Sequence, residues 1–400
     1  MKKRNNNQHM KTKRNFLIAL LLASASLLAS AQEKRDAYEY MGDIPVYVDS
    51  IQQSLTYPLA WRNCKDRMTM GEWRQVARQK VFELMGPQPS RPEKWDMKLL
   101  AEEKRDGYRA QKIEFSLSRW YRVKAYLLIP DASAKSKRGA KFPAVNLLHD
   151  HGAHLFIGKE KMIRPFDDDS VVIADADRWV ENLYEGQYLG DYLARQGYVV
   201  FSIDAPLWGE RGRKEGVDRN RYDIIAGNMM MLGRNLCAFM HYDDIVSTEF
   251  LASLPFVDKS RIGCAGCSMG AYRAWMLSAL SDDIAAGCAV CWMNTTEDQL
   301  TLKYGRKENG GFANSIPLLR NYMDYPDIAS LAVPKPMLFI SGDKDKLFPV
   351  PGVEKAFARM HEVWGETDRL ETRIEAQPHE CNLKNQNDIL SFFDKHLKSK

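Results

Sequence analysis

The segment that most restricts how this chain can fold is residues 261–271, with the sequence RIGCAGCSMGA. Its apolar first half is typical of a buried strand, and the residues after Gly270 are typical of a helix. Glycines stand two positions before and two positions after Ser268, where side chains would clash with neighbouring backbone in a sharp turn. The pattern predicts a strand–turn–helix unit that presents the Ser268 hydroxyl above a sheet, beside a helix N-terminus.

Strand and helix patterns alternate along most of the chain, which predicts an α/β fold with a mostly parallel sheet and helices on both faces. The predicted strands are 108–117, 121–129, 142–148, 198–203, 261–265, 285–292, 336–340 and 372–376. The predicted helices are 70–84, 183–196, 235–254, 271–280, 353–363 and 388–397. A short turn joins the first two strands, which are candidates for an antiparallel edge.

The helix predicted at 70–84 lies in a segment, residues 32–106, that is expected to be a helical extension packed on the main domain. Residues 107–400 are expected to form that main domain, with insertions near 153–182 and 205–234. The first insertion contains Lys159, Lys161 and an acidic run, and is interpreted as a long polar connection. Long insertions of this kind are where such folds gain specificity.

Residues 1–31 have the pattern of a secretory signal peptide, with cleavage expected between Ala31 and Gln32. A basic stretch precedes an apolar run, which ends in small residues and is too short for a spanning helix. The leader carries six basic and no acidic residues, so its removal changes the net charge from +5 to −1. The mature chain therefore gives no reason to expect nucleic-acid binding, and no later apolar run reaches membrane-spanning length.

A serine hydroxyl becomes a nucleophile when a base takes its proton, and the base needs an acid to orient it. Two acids, Asp343 and Asp345, follow the strand predicted at 336–340, and the spacing favours Asp345. His379 lies in a loop after the next strand and before the last helix. The order serine, acid, histidine predicts a triad of Ser268, Asp345 and His379.

A serine nucleophile also needs hydrogen-bond donors for the oxyanion that forms on the attacked carbonyl. The backbone N–H of Met269, directly after the serine, is the first candidate. The backbone N–H of Ala153, in the loop after the strand at 142–148, is the second. Trp208, Arg211 and Trp292 are candidate substrate contacts, because aromatic faces and charged hydrogen-bonding groups suit sugars.

Cysteine and histidine patterns leave three alternatives open. Cys267 could replace Ser268 as nucleophile, although Met269 would then stand where a small residue is needed. Two C-x-x-C pairs resemble a zinc site, although cysteines three apart on one strand point to opposite faces. The segment 149–151, His-Asp-His, offers metal ligands without a matching set elsewhere. The chain has seven cysteines, so at least one is unpaired. We expect no metal and no organic cofactor.

Four segments resemble a bacterial α/β-hydrolase family close to acetyl xylan esterases and dienelactone hydrolases. They are FPAVNLLHDHG at 142–152, GKEK at 158–161, FSIDAPLWGER at 201–211 and GCSMG at 266–270. The resemblance implies an α/β-hydrolase fold, a serine triad and exported enzymes that remove ester groups from glycans. Dienelactone hydrolases use cysteine at the position of Ser268, and acetyl xylan esterases usually have glutamine at the position of Met269.

The expected function is therefore that of a secreted or periplasmic serine carboxylic ester hydrolase acting on a small-molecule or polysaccharide ester. One alternative is a glucuronoyl methylesterase-like enzyme, although such enzymes have a basic residue directly after the serine. A serine peptidase of the prolyl-oligopeptidase type is another, although the chain has no room for the β-propeller domain of that type. An acyltransferase and a non-catalytic binding protein on the same fold are the remaining alternatives.

Overall fold

The computed structural model describes residues 44–131, 141–166, 168–213, 217–301, 303–305 and 309–398. The chain divides into two units, residues 1–55 and residues 56–400. In the first unit the described residues contain one helix, α1 (Ile44–Gln53). The predicted signal peptide and its cleavage site lie outside the described residues.

The second unit contains nine strands and twelve α-helices among the residues that the structure describes. The strands are β1 (Lys98–Arg105), β2 (Tyr108–Ser116), β3 (Arg122–Pro130), β4 (Phe142–Leu148), β5 (Val199–Ile203), β6 (Val257–Cys267), β7 (Ala286–Val290), β8 (Met337–Gly342) and β9 (Leu370–Glu375). The helices are α2 (Trp61–Cys64), α3 (Met70–Met85), α4 (Ser170–Tyr184), α5 (Leu189–Arg195), α6 (Arg219–Met231), α7 (Leu236–Ser253), α8 (Met269–Leu280), α9 (Thr296–Gln299), α10 (Asn309–Ala313), α11 (Tyr325–Ala329), α12 (Val350–Trp364) and α13 (Leu383–Phe393).

All nine strands form one sheet in the order β1-β2-β3-β5-β4-β6-β7-β8-β9. The pairs from β5 through β9 are parallel, whereas β1, β2 and β3 are antiparallel to their neighbours. Buried apolar clusters cover both faces of the sheet. The predicted mostly parallel sheet with an antiparallel edge and helices on both faces is confirmed.

The edge strand β1 corrects the expectation that residues 32–106 are helical. Its sequence, KLLAEEKR, is largely exposed on both faces, so it has no alternation of apolar and polar residues to reveal it. The predicted helix in the same segment is present as α3. Thr69 and Glu72 form a capping box at its start, and the helix ends at Gly86, where φ is +70°.

Two further helix boundaries differ from the sequence prediction. The helix expected at 183–196 is interrupted, because Glu185 and Gly186 adopt left-handed backbone angles between α4 and α5. Most of α4 lies in the insertion interpreted as a polar connection. Its buried face consists of Val172, Ala176, Val180 and Tyr184.

Lys159, Glu160 and Lys161 in the same insertion form a fully buried turn rather than a solvated one. The Lys159 ammonium lies 2.7 Å from Glu160, 3.0 Å from Asp204 and 2.7 Å from Glu210. Burial disfavours the charged form of Lys159, but the three carboxylates outweigh it and raise its pKa well above the usual value. The network joins the insertion to the segment after β5.

We expect Lys159→Ala to destabilise the fold by about 3–5 kcal/mol, because it leaves buried carboxylates without a cation. The matched control is Lys124→Ala, which removes a partly exposed ammonium 2.8 Å from the same Glu210. It should cost less than about 1 kcal/mol. Urea unfolding followed by fluorescence measures both, and equal losses would contradict this view of the network.

Candidate active site

The strand β6 leads directly into helix α8 through Ser268. Ser268 has φ 56° and ψ −125°, a conformation that L-residues rarely adopt. Its backbone N–H donates to the carbonyl oxygen of Val290 at 2.8 Å, which ties the turn to the end of β7. The predicted strand–turn–helix unit is present, and Ser268 occupies the N-cap position of α8.

The two glycines around Ser268 permit close contact with the end of β4. A Cβ atom added to Gly266 or to Gly270 would overlap the backbone carbonyl oxygen of Leu148. At Gly270 it would also lie 3.1 Å from the carbonyl carbon of His149. The turn at 266–270, the elbow, is therefore fixed against β4, the strand whose following loop carries the candidate oxyanion donor.

Asp345 and His379 are in direct contact, with Oδ2 of Asp345 2.6 Å from Nδ1 of His379. The other carboxylate oxygen, Oδ1, accepts the backbone N–H of Leu347 at 2.8 Å. Asp345 is buried, whereas the alternative acid Asp343 is exposed to solvent. The ring of Phe348 stacks on the imidazole, with centroids 5.9 Å apart.

Ser268, Asp345 and His379 follow the strands β6, β8 and β9. These strands are parallel and belong to one sheet, so the three residues share its carboxyl edge. The structure thus brings the acid and the histidine into hydrogen-bond contact at the edge where the elbow lies.

The two candidate oxyanion donors differ in what they contact. Met269 is the first residue of α8, and the first N–H groups of a helix have no acceptor within that helix. The N–H of Ala153 instead donates to Nδ1 of His151 at 2.9 Å, and Ala153 is exposed with φ 52°. A role for Ala153 stays a prediction, and it requires this N–H to change its acceptor.

The environment of Cys267 disfavours it as a nucleophile. The hydrogen bond with Cys291, together with burial, raises the pKa of the Cys267 thiol well above its usual value. A thiol acts as a nucleophile in its thiolate form, which this environment disfavours at neutral pH. Its side chain also packs in the apolar cluster on one face of the sheet.

The cysteine pairs are also poorly placed for a four-cysteine zinc site. Cys264 and Cys267 belong to clusters on opposite faces of the sheet, as expected for a strand. The same expectation is wrong for Cys288 and Cys291, which share a face because Cys291 lies beyond β7 with φ 58°. The Sγ of Cys264 contacts the hydroxyl of Ser278 at 3.2 Å.

Two other groups of potential metal ligands are occupied by interactions within the protein. Both ring nitrogens of His149 are used, one with the carbonyl of Asp150 at 2.8 Å and one with the N–H of Ala205 at 2.9 Å. Burial lowers the pKa of His149 well below its usual value, so the ring is neutral. The carboxylates of Glu160, Asp204 and Glu210 cluster together, but Lys159 already binds all three.

The three candidate substrate contacts have packing and ion-pair positions in the structure. Trp208 is 1% exposed and packs edge-on against His151. Trp292 is 2% exposed and packs against Phe348, the residue that stacks on His379. Arg211 binds Asp243 at 2.7 Å. Direct contact of these side chains with a substrate stays a prediction.

Sequence reasoning missed a buried ion pair beneath the elbow helix. Arg273 on α8 binds Asp244 on α7 through two bonds of 3.0 Å and 2.6 Å, and both side chains are fully buried. Arg273 also donates to the carbonyl oxygen of His149 at 3.4 Å. The available signal was Arg273, the one charged residue in the sequence of α8, together with the acidic pair at 243–244 in α7.

The sheet order and the elbow at its carboxyl edge define an α/β-hydrolase. Residues 34–391 match the sequence profile of the Abhydrolase family, so the chain belongs to that family. The protein YtaP of Bacillus subtilis (strain 168), which is assigned provisionally as a hydrolase, is 27% identical over 282 residues, which is 70% of this chain and 85% of that protein.

Two solved structures have the same fold at low sequence identity. A Bacteroides fragilis protein assigned provisionally as an acetyl xylan esterase has a TM-score of 0.62 and 18% identity, covering 83% of this chain and 82% of its own. A glucuronoyl esterase from Solibacter usitatus has a TM-score of 0.58 and 14% identity, covering 84% and 94%. These similarities confirm the predicted fold.

The close contact at Gly270 predicts that Gly270→Ala displaces the elbow. The added methyl group meets the Leu148 carbonyl, so we expect a loss of about 1–3 kcal/mol in unfolding free energy. The control is Gly227→Ala in the middle of α6, where nothing lies within 4 Å of an added Cβ. It should stabilise the protein slightly, through helix propensity. Chemical denaturation compares the two variants, and a stable Gly270→Ala protein would contradict the contact.

Proposed function

We propose that this protein is a serine carboxylic ester hydrolase that removes ester groups from carbohydrate through an acyl-enzyme intermediate. The observation that carries the proposal is the 2.6 Å contact between Asp345 and His379 at the sheet edge that also bears Ser268 in its strained turn. An acid, an imidazole and a hydroxyl that follow strands at one edge of the sheet match the requirements of nucleophilic catalysis.

In this proposal, the contact assigns the role of base to one nitrogen of His379. An ionised carboxylate can only accept a hydrogen bond, so Nδ1 carries the proton and the lone pair of Nε2 is the one that takes up a proton. Nε2 takes the Ser268 proton as Oγ attacks the ester carbonyl, and the imidazolium then gives that proton to the leaving alcohol. Water then attacks the acyl-enzyme, with His379 again taking and returning a proton, and this step releases the carboxylic acid and restores Ser268. Asp345 holds the ring and stabilises its charged form.

The N–H of Met269 is the assigned donor to the oxyanion of both tetrahedral intermediates. It lies at the start of α8, where the helix dipole favours negative charge. The 205–234 insertion packs on this residue, because Met269 belongs to the same apolar cluster as Trp208 and Tyr222. Through this packing, the insertion can affect the shape of the site without touching the reacting atoms.

Carbohydrate as the alcohol component is supported by the resemblance described above and by the names of the solved structures that share this fold. Export is supported by the leader pattern in residues 1–31. None of the helices in the described part of the chain combines the length and the apolar character that a membrane span requires. We assign the active enzyme to the mature chain from Gln32 onward.

The triad assignment predicts a sharp contrast between two neighbouring acids. Asp345→Asn should lower kcat for 4-nitrophenyl acetate by about 10⁴-fold, because the amide favours the wrong imidazole tautomer. Asp343→Asn should change kcat by less than about twofold, because Asp343 is exposed. Ser268→Ala should lower kcat by about 10⁶-fold. Activity that survives in Ser268→Ala would refute the assignment of the nucleophile.

The substrate class is tested with a panel of acetylated xylan, acetylated pectin, a glucuronate methyl ester and a dipeptide amide. We expect Ser268-dependent release of acetate from a polysaccharide, measured enzymatically, with wild type and Ser268→Ala in parallel. Faster methanol release from the glucuronate ester would replace this assignment with the glucuronoyl alternative. Cleavage of the dipeptide amide alone would identify a peptidase instead.

A further inference from the structure

Cys291 occupies a strained position between the elbow and the loop of His379. It follows the last residue of β7 and has φ 58°, in the left-handed region that favours glycine. Its backbone N–H donates to the carbonyl of Ile340 at 2.7 Å, which fixes it to the neighbouring strand β8. Backbone strain in a non-glycine residue persists only where the surroundings impose it, and it clusters at functional sites.

The Cys291 thiol contacts the residues on both sides of His379. Its Sγ lies 3.4 Å from the carbonyl oxygen of Glu380 and 4.0 Å from that of Pro378. The thiols of Cys267 and Cys291 also interact, and this interaction shifts the pKa of Cys267 upward and that of Cys291 downward. Cys291 therefore lies between the residue before Ser268 and the residues that flank His379.

The remainder of the His379 loop is held through Gln377. Its side-chain amide donates to the carbonyl oxygen of Glu380 at 3.1 Å and to Asn385 at 2.9 Å, and lies 3.9 Å from the Cys291 sulfur. Asn382 donates to the Gln377 oxygen at 3.1 Å. These bonds stay within the loop and the start of α13, whereas the contacts of Cys291 join the loop to the central sheet.

We propose that Cys291 is a positioning residue that sets the position of His379 relative to Ser268. Its sulfur, a ring nitrogen of His379 and a carboxylate oxygen of Asp345 all lie within 4.8 Å of one another, so the loop that Cys291 contacts holds the acid–base pair close to the sulfur. The thiol takes no part in bond making, because it acts only through the loop. This inference rests on the proposed function, since it assigns His379 as the base.

Packing alone does not account for this residue. Cys288 lies three positions earlier in β7, is equally buried and packs in the same apolar cluster. A cysteine that only fills space behaves as a small apolar side chain, and alanine replaces it with modest loss. Cys288 is therefore the matched control, since it lies within the strand rather than at the loop contact.

The test compares Cys291→Ala, Cys291→Ser and Cys288→Ala with wild type. Kinetics on 4-nitrophenyl acetate should show kcat reduced by about 10- to 100-fold in Cys291→Ala, with KM within about twofold, because misplacement of a catalytic group affects the chemical step. Cys291→Ser keeps a donor at this position and should recover most of the loss. Cys288→Ala should retain wild-type kcat even if its melting temperature falls.

A second readout is independent of any substrate. The proton shared by Nδ1 of His379 and Asp345 should give a far-downfield proton NMR signal that is absent in His379→Ala. We expect this signal to move or broaden in Cys291→Ala and to stay unchanged in Cys288→Ala. If wild type shows the signal but hydrolyses no ester, the proposed function fails while the positioning role is still tested.

An unchanged signal and an unchanged kcat in Cys291→Ala would overturn the proposal. If Cys291→Ala does not fold, Cys291→Ser decides instead. Gln377→Leu is then the comparison, because it removes the side-chain amide bonds of Gln377 that also hold the loop. The proposal requires the NMR signal of Cys291→Ser to lie closer to the wild-type signal than that of Gln377→Leu does. A Cys291→Ser signal farther from wild type than that of Gln377→Leu would show that the loop is positioned without Cys291.

Discussion

The contact between the elbow and the carbonyl oxygen of Leu148 is the constraint on which the site depends. Because no side chain fits at Gly266 or Gly270, the backbone of Ser268 can lie directly against the end of β4. That contact accompanies the positive φ of the serine, and the first N–H groups of α8 have no acceptor within the helix. In the proposed function, the same packing thus fixes both the nucleophile and its oxyanion donor, and a loop delivers the base.

The surroundings of the elbow are held largely by buried charges. Arg273 and Asp244 join the elbow helix to α7, and Lys159 joins its own insertion to the segment after β5 through Asp204 and Glu210. Buried ion pairs contribute little net stability compared with apolar packing, but removal of one partner is costly. Such pairs therefore favour one arrangement of the insertions over others. The ion pairs thus help to set the positions of the segments that surround the elbow.

The sequence allowed the elbow, the strand order along the chain and the pairing of Asp345 with His379 to be predicted, because each depends on local pattern or on order. The strand β1 was missed because an exposed edge lacks apolar alternation. The burial of Lys159 was missed because two of its three partners, Asp204 and Glu210, are distant in sequence and approach it only in the folded chain. Trp208 and Trp292 were predicted as substrate contacts, and their burial could not be predicted because it follows from the three-dimensional packing of their neighbours. Cys291 gave no local signal, since its backbone angle and loop contact arise from tertiary structure.

The central claim is that Ser268 is the nucleophile, and covalent labelling tests it most directly. Wild-type protein would be treated with a fluorophosphonate and digested, and the modified peptide would be fragmented in a mass spectrometer. The account predicts one adduct per chain, located on Ser268, with no labelling after heat unfolding. An adduct on Cys267 or on another residue, or no adduct in the folded protein, would contradict it.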